Sequence, residues 1–234
     1  MTVREAGVTE YRRYAVYDPG PAALAEFGAE WLGWDPRRGC ETRALGGALA
    51  ATPRRYGFHA TIKAPFRLAP GCSPAALVAG FERLCAGLAL VAAEPGLQLR
   101  RIAGVLALLF KPQPAAVTAL AAEVVRGLDG FRAPLSPEER ARRRPELLTA
   151  AQRALLDRWG YPWVMEEFRY HMTLTGALSA AEEAEARQRL QPLLAGLLPS
   201  PHPITALALM GEDAEGRFHL LHQAELRGGG GHGP

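Results

Sequence analysis

The chain has 234 residues, enough for one large domain or two small lobes with a sizeable core. Hydrophobic residues make up 48% and charged residues 22%, as in soluble globular proteins, and the net charge of +3 predicts no strong nucleic-acid or membrane surface. There is no signal peptide and no transmembrane run, and the three scattered cysteines fit reduced thiols. We therefore expect a cytoplasmic protein without a membrane partner.

The spacing of apolar residues predicts strands and helices that alternate along the chain. Strands are predicted at 12–19, 56–66, 97–112 (two strands with a bend near Gly104, or one bulged strand), 164–178, 204–213 and 216–226. Helices are predicted at 21–34, 73–88, 114–131, 149–159 and 179–198. The Gly-, Arg- and Pro-rich residues 35–55, and most of the Arg/Pro-rich segment 132–163, are predicted to be loops.

The order of elements repeats. Each half has a strand with a His-x-Thr triplet, a Pro or Gly stop, a capped helix and two further strands. This order predicts an α+β fold of two antiparallel sheets with flanking helices, related by a pseudo-twofold axis around a central cleft. We expect residues 1–227 to form a single bilobed domain and 228–234 to be a disordered tail.

The triplets lie in "HATIK" (59–63) and "HMTLT" (171–175). Because side chains alternate along a strand, one face of each strand carries ionisable and hydroxyl groups. On the first strand these are Arg55, His59, Thr61 and Lys63, and on the second they are Arg169, His171, Thr173 and Thr175. If a twofold axis relates the lobes, the two polar faces meet in one cleft.

Two imidazoles beside hydroxyl and basic groups suit phosphate ester chemistry. With an ordinary pKa of ~6.5, one histidine can be neutral and the other protonated near neutral pH. One then deprotonates a water while the other protonates the leaving alkoxide, and the threonines donate to the phosphoryl oxygens. Lys63 and Arg169 are expected to add positive charge, and Lys63 is one of only two lysines among 27 basic residues.

Simpler interpretations exist for most of these residues. One strand histidine is more often structural than catalytic, and only the duplication changes this. Arg55 and Arg169 also fit surface salt bridges, and "RARRR" (140–144) fits a solvated helix face, with a substrate phosphate contact as the less favoured alternative. No Asp joins the two triplet histidines, while His219 and His222 face opposite ways along a predicted strand. We therefore expect no metal and no cofactor.

The motifs "HATI" (59–62) and "HMTL" (171–174) resemble the 2H phosphoesterase superfamily, the LigT-like and cyclic-phosphodiesterase group. Longer stretches are similar to the phosphonate-metabolism proteins of bacterial phosphonate operons: "RYAVYDP" (13–19), "RRYGFHATIKAPFRL" (54–68), "RRRPELLTAAQRALLDRWGYPWVMEEFRYHMTLTG" (142–176) and "FHLLHQAEL" (218–226). The resemblance implies a metal-independent phosphoesterase with both His-x-Thr pairs in its site. Within these stretches we expect substrate contacts from Lys63, Arg169, Thr175, Arg55 and Tyr17.

The expected function is therefore hydrolysis of a cyclic phosphodiester on a small or nucleotide-like substrate by His/His acid–base catalysis. The operon resemblance favours a ribose cyclic phosphate, such as the 5-phosphoribosyl 1,2-cyclic phosphate produced when carbon–phosphorus bonds are broken. Two alternatives remain. One is a non-catalytic protein that binds nucleotides or RNA ends, whose binding should survive loss of either histidine. The other is an accessory component of a phosphonate-degradation complex.

Overall fold

The structure, a computed structural model, describes residues 11–228. The strands are β1 Arg13–Asp18, β2 Trp34–Asp35, β3 Cys40–Glu41, β4 Ala60–Phe66, β5 Val91–Ala93, β6 Gln98–Ile102, β7 Val105–Leu109, β8 His171–Thr173, β9 His202–Ile204, β10 Ala206–Glu212 and β11 Phe218–Glu225. The α-helices are α1 Ala22–Leu32, α2 Pro74–Gly87, α3 Ala115–Gly127, α4 Pro137–Ala141, α5 Ala150–Trp159 and α6 Ala180–Leu194.

All five predicted helices are present, and three of them begin at hydroxyl caps. Ser73 accepts a hydrogen bond from the Ala76 amide, and Thr149 and Ser179 form capping boxes with the residues three positions later. The structure adds the short helix α4, itself capped by Ser136, within the segment predicted to be mostly loop. The predicted tail, 228–234, lies outside the described residues apart from Gly228.

The predicted α+β class with antiparallel pairing is confirmed. Seven strands form one sheet in the order β11-β10-β1-β4-β8-β7-β6. The expectation of two separate sheets differs from this arrangement, because the two groups β11-β10-β1-β4 and β8-β7-β6 join through one residue pair, Ala60 with Met172. The sheet is thus continuous, with a single residue pair joining its two groups of strands at the centre.

The predicted repeat is present, but its strands pair across the halves. The chain runs β4-α2-β5-β6-β7 and then β8-α6-β9-β10-β11. The hairpin β6-β7 of the first repeat pairs with β8 of the second, and the hairpin β10-β11 of the second reaches β4 through β1. The short strands β5 and β9 also pair with each other. This exchange brings the two motif strands together at the middle of the sheet.

Helices cover one face of the sheet. Val16, Ala60, Leu108 and Met172 are fully buried there in one core cluster that includes apolar residues of α1, α2, α3 and α6. Because side chains alternate along each strand, the residues next to them point to the opposite face. That second face carries the polar residues of the motifs. Within residues 11–228, none of the helices combines the length and apolarity that crossing a bilayer requires.

Candidate active site

A cleft of about 510 Å³ opens on the uncovered face of the sheet, and both His-x-Thr pairs line it. His59 and Thr61 enter it from β4, and His171 and Thr173 enter it from β8. All four side chains are partly exposed, whereas the central residue of each triplet is fully buried on the other face. The structure therefore brings together the four residues that the sequence predicts for the catalytic centre.

The triplets lie on neighbouring antiparallel strands whose central residues pair with each other. Continuing this register by one residue in each direction places His59 opposite Thr173 and His171 opposite Thr61. The two histidines are then at diagonal positions of the strand pair. A local twofold axis passes between the two central residues, and it relates one triplet to the other within one sheet.

β8 is only three residues long, and side chains from other parts of the chain help to hold it in place. The strand predicted over 164–178 is wrong outside this core: Met165–Glu167 is a 3-10 turn, and Met165 has a φ of 53°. Before β8, the Gln113 amide accepts from the Tyr170 amide and donates to the Phe168 carbonyl. After β8, the Trp31 indole donates to the Leu174 carbonyl at 2.8 Å. The position of His171 therefore depends on contacts from α1 and from the loop before α3.

The tautomer of His59 follows from a backbone contact. Its Nδ1 lies 3.0 Å from the Gly57 carbonyl oxygen, which can only accept, so Nδ1 carries the proton. The other nitrogen, Nε2, is 3.0 Å from the Thr61 hydroxyl and accepts its hydrogen bond. Gly57 has a φ of 72°, and a Cβ there would lie 2.8 Å from the Pro36 ring. Glycine thus permits the turn that presents this carbonyl to the imidazole.

His171 has the same arrangement. Its Nδ1 lies 2.7 Å from the Arg169 carbonyl oxygen, again two residues earlier in the chain. The proton is fixed on Nδ1 in this histidine as well, which leaves Nε2 for the substrate. Both imidazoles are therefore oriented by their own strand, and each keeps the nitrogen that can exchange a proton with a substrate.

Tyr17 packs against His59. The rings stack with centroids 3.4 Å apart and planes 9° apart, and Tyr17 is only 3% exposed. Burial lowers the pKa of His59 to about 3, against the raising effect of the Gly57 hydrogen bond and with a further lowering by positive charge on His171. His59 is therefore neutral at physiological pH. The sequence predicted Tyr17 as a substrate contact; it lines the cleft, but its main contact is this stack.

The prediction that Lys63 shares the face of His59 is wrong. On β1, Tyr17 pairs with Thr61 but Val16 pairs with Lys63, so β4 has one extra residue between these pairs. This β-bulge reverses the alternation of faces along β4. Ile62 and Lys63 are consequently both buried, and Ala64 is the next residue to line the cleft.

The Lys63 ammonium instead enters an adjoining cavity. Its Nζ donates to the Val125 carbonyl at 3.1 Å and lies 3.8 Å from Asp129. The side chain is about 4% exposed. Burial lowers its pKa to about 8, and Asp129 opposes that shift.

The other predicted substrate contacts also differ. The Arg169 guanidinium does not line the cleft but donates to the Glu166 and Phe168 carbonyls, because the chain before β8 is not a strand. Thr175 is fully buried at the cleft wall, and its hydroxyl accepts from Leu106 and donates to Gly176. Both hydrogen-bonding roles of Thr175 are therefore occupied by backbone.

Arg55 is also outside the cleft. Its guanidinium lies 4.6 Å from the centroid of the Tyr56 ring and donates to the hydroxyl of the same tyrosine. It belongs to the 3-10 helix Pro53–Tyr56, which replaces the start of the strand predicted from residue 56. Tyr56 itself does line the cleft.

Arg13 and Tyr161 line the cleft but were not singled out from the sequence, and Arg143 lines it as well. Arg13 shares the alternation of Tyr17 on β1, which was the available signal. It forms a bidentate ion pair with Glu212 at 2.5 and 2.6 Å. Arg143 comes from the basic run 140–144 and lies 4.9 Å from the centroid of the Tyr161 ring. Arg140 and Arg144 instead form surface ion pairs with Asp157 and Glu146, as the solvated-face interpretation predicts, so a phosphate contact is compatible with the position of Arg143 but not with the whole run.

Among residues 11–228 there is no group of three His, Cys, Asp or Glu side chains that could hold a metal ion. His219 pairs with Asp213 at 2.7 Å and His222 with Glu82 at 2.8 Å, so these two histidines have separate partners.

Two curated relatives carry the name ribose 1,5-bisphosphate phosphokinase PhnN. The protein of Janthinobacterium sp. (strain Marseille) is 39% identical over 183 residues, which are 73% of this chain and 40% of the relative. That of Laribacter hongkongensis (strain HLHK9) is 34% identical over 219 residues, which are 89% of this chain and 50% of the relative. The chain thus spans half the length of these relatives or less.

Among solved structures, the chain is similar to a crystal structure of a phosphoesterase, with 14% identity and a TM-score of 0.43. It is also similar to E. coli LigT complexed with ATP, with 15% identity and a TM-score of 0.46. Each match covers 93% of this chain and 99% of the other. A family model described as "Protein of unknown function (DUF1045)" matches residues 61–219, well over half of the chain. The chain belongs to this DUF1045 family.

Proposed function

We propose that this protein is a metal-independent phosphoesterase that hydrolyses a cyclic phosphodiester with His59 and His171 as its acid–base pair. The observation that carries this proposal is the matched pair of imidazoles on adjacent strands. Each has Nδ1 bonded to the carbonyl two residues earlier, and each lines the same cleft beside a threonine. A structural histidine needs no such duplicate, whereas general acid–base catalysis needs two fixed nitrogens.

The low pKa of His59 favours this residue as the base, because it keeps the imidazole unprotonated. A neutral His59 accepts a proton from the attacking water at Nε2, and the oxygen of that water forms a new bond to phosphorus. The bond from phosphorus to one ring oxygen breaks, and His171, protonated at Nε2, gives its proton to that oxygen. The product is a phosphomonoester with a free hydroxyl, and the two histidines have exchanged protonation states until solvent restores them.

Hydroxyl and cationic groups stabilise the charge that grows on the phosphoryl oxygens. Thr61 donates to His59 in the free protein, and with substrate bound its hydroxyl can turn to a phosphoryl oxygen. Thr173, the equivalent residue by the local twofold, donates from the other strand. Arg143 supplies positive charge at the cleft wall without a carboxylate within 4.0 Å among the described residues. Fixed donors of this kind act most strongly where the transition state gains charge.

The substrate we propose is a small ribose cyclic phosphate, in phosphonate catabolism. A cleft of about 510 Å³ has the size of a small-molecule site. The operon resemblance and the relatives named for a ribose bisphosphate both favour this class. Their phosphokinase activity is not carried over, because the sequence contains no Gly-Lys pair and so no G-x-x-x-x-G-K-[ST] phosphate loop.

A hydrolysis screen tests this function. Wild-type protein in excess chelator is incubated with ribose 1,2-cyclic phosphates, 2′,3′-cyclic nucleotides and 2′–5′ dinucleotides, and products are followed by ³¹P NMR. We expect at least one cyclic phosphate to be opened, with His59→Ala and His171→Ala each losing most of that rate. Binding of cyclic phosphates without turnover, unaffected by either variant, would instead identify a non-catalytic binding protein.

A further inference from the structure

A second cavity, of about 190 Å³, lies beside the cleft and is strongly basic. Its walls carry six cations and a single carboxylate, Glu139; the cations are Arg13, Lys63, Arg67, Arg132, Arg142 and Arg143. Three carboxylates in all form ion pairs with this set, since Glu212 pairs with Arg13, Asp129 with Lys63 and Arg132, and Glu139 with Arg67. The cavity therefore keeps an excess of three positive charges.

Among the described residues, three of these cations have N–H donors without an acceptor or a charge without a neighbouring carboxylate. Lys63 is buried, and of its three N–H donors only one meets an acceptor at hydrogen-bond distance, the Val125 carbonyl at 3.1 Å. Among residues 11–228, neither Arg142 nor Arg143 has a carboxylate within 4.0 Å. A buried ammonium is costly unless its donors are filled, and an anion between Lys63 and the two guanidinium groups would fill them.

The cavity and the cleft share a wall. Arg13, Ala64, Pro65, Arg143 and Tyr161 line both. Along β4, Thr61 faces the cleft and Lys63 faces the cavity, and two residues of strand span about 6–7 Å. One sugar ring can bridge that distance. The volume of the cavity equals roughly six waters, which is enough for a phosphate group of five heavy atoms.

We propose that this cavity binds a second phosphate group of the substrate, a terminal phosphomonoester, while the reacting cyclic phosphodiester lies between His59 and His171. Lys63, Arg142 and Arg143 are the residues that bind it, and they select substrates that carry two phosphates. This inference rests on the proposed function for the identity of the reacting group. The bulge in β4 is what separates the two sites, because it turns Lys63 away from the catalytic face.

The test uses two pairs of cyclic phosphates that differ only in the distant phosphate: ribose 1,2-cyclic phosphate with and without a 5-phosphate, and adenosine 2′,3′-cyclic phosphate with and without a 5′-phosphate. For the scaffold that is turned over, wild-type kcat/KM should favour the doubly phosphorylated member by about 100-fold or more. Lys63→Met and Arg142→Gln should each reduce that preference at least about tenfold. Arg142 is exposed, so its variant stays informative if Lys63→Met fails to fold.

Lys111→Met is the matched control, because it removes the other lysine of the chain at a position outside both sites, and its preference should equal that of wild type. Calorimetry on His59→Ala/His171→Ala measures binding separately from turnover. A Lys63-dependent binding preference in this variant, together with no turnover by the wild-type protein, would sustain the second phosphate site and reject the phosphoesterase. Turnover with equal kcat/KM for both members of a pair would reject the second phosphate site alone. Inorganic phosphate bound through Lys63, without discrimination between the paired substrates, would also reject it.

Discussion

Tyr17→Ala should raise the pKa of His59, because the tyrosine ring keeps water from one face of the imidazole. The rings are stacked at 3.4 Å, and the pKa of His59 is lowered from 6.5 to about 3. At 1.36 kcal/mol per pKa unit, charging His59 in the folded protein costs roughly 5 kcal/mol more than in water. Losing the attraction between a charged imidazole and the tyrosine ring acts the other way but amounts to about 0.5–2 kcal/mol. Tyr17 supplies one face of this burial, and even half of the ~5 kcal/mol would exceed the lost attraction, so we expect the upward shift to decide the sign.

NMR titration of the His59 ring signals measures this directly. We expect a wild-type midpoint far below 6.5, a clear upward shift in Tyr17→Ala, and little change in Tyr17→Phe, which keeps the stacked ring. Since the base must be unprotonated, kcat/KM falls as pH drops through its pKa, and this acid limb should move upward with the titration in Tyr17→Ala. A wild-type midpoint at or above 6.5, or no upward shift in Tyr17→Ala, would refute the assignment of His59 as a neutral base.

Three further predictions concern the site and its support. Burial raises the pKa of Asp18 from 3.8 to about 6, so the folded protein holds a proton that the unfolded chain releases; stability should fall by ~3 kcal/mol as pH rises from about 4 to above 6. Asp18→Asn should remove that part of the pH dependence in urea unfolding, and an unchanged curve would contradict it. Thr61→Val and Thr173→Val should each lower kcat/KM by about 10–150-fold, the equivalent of about 1.5–3 kcal/mol for a hydrogen bond to a charged acceptor, and wild-type rates would show that these hydroxyls do not bind the phosphoryl group. Turnover should persist in excess chelator, and a loss restored by zinc or manganese would mean that a metal takes part.

The four residues of the His-x-Thr pairs could be predicted because they depend on one local rule. Period-two alternation places His and Thr on the same face of a strand, whatever the strand pairs with. Their duplication then indicated a common site. The buried central residues, Ala60 and Met172, follow from the same alternation.

Lys63 could not be placed by that rule. Its orientation depends on how β4 pairs with β1, where the register changes between Thr61 and Lys63. A bulge is set by the partner strand and by packing across the sheet, so the local sequence of β4 does not reveal it. The scarcity of lysine in this chain did indicate a special position, but in the adjoining basic cavity.

Tertiary contacts also decided the segment before β8. Residues 164–170 alternate like a strand, but Gln113 supplies the hydrogen bonds that a neighbouring strand would otherwise make. Arg169 consequently points away from the cleft. Arg143 lies between α4 and α5, whose positions depend on tertiary contacts: α5 packs against α3, and Glu139 of α4 pairs with Arg67. Composition alone does not predict that these contacts bring Arg143 to the cleft wall.

The most direct test of the acid–base pair is the double-mutant cycle on kcat/KM for His59→Ala, His171→Ala and the double variant, each checked for native folding by circular dichroism. Each single variant should lose about 10²–10⁴-fold. The double variant should lose little more than the worse single variant, because removing either histidine interrupts the same proton transfer. A correctly folded double variant that opens a cyclic phosphodiester at a near wild-type rate would contradict the assignment of these two histidines as the catalytic pair.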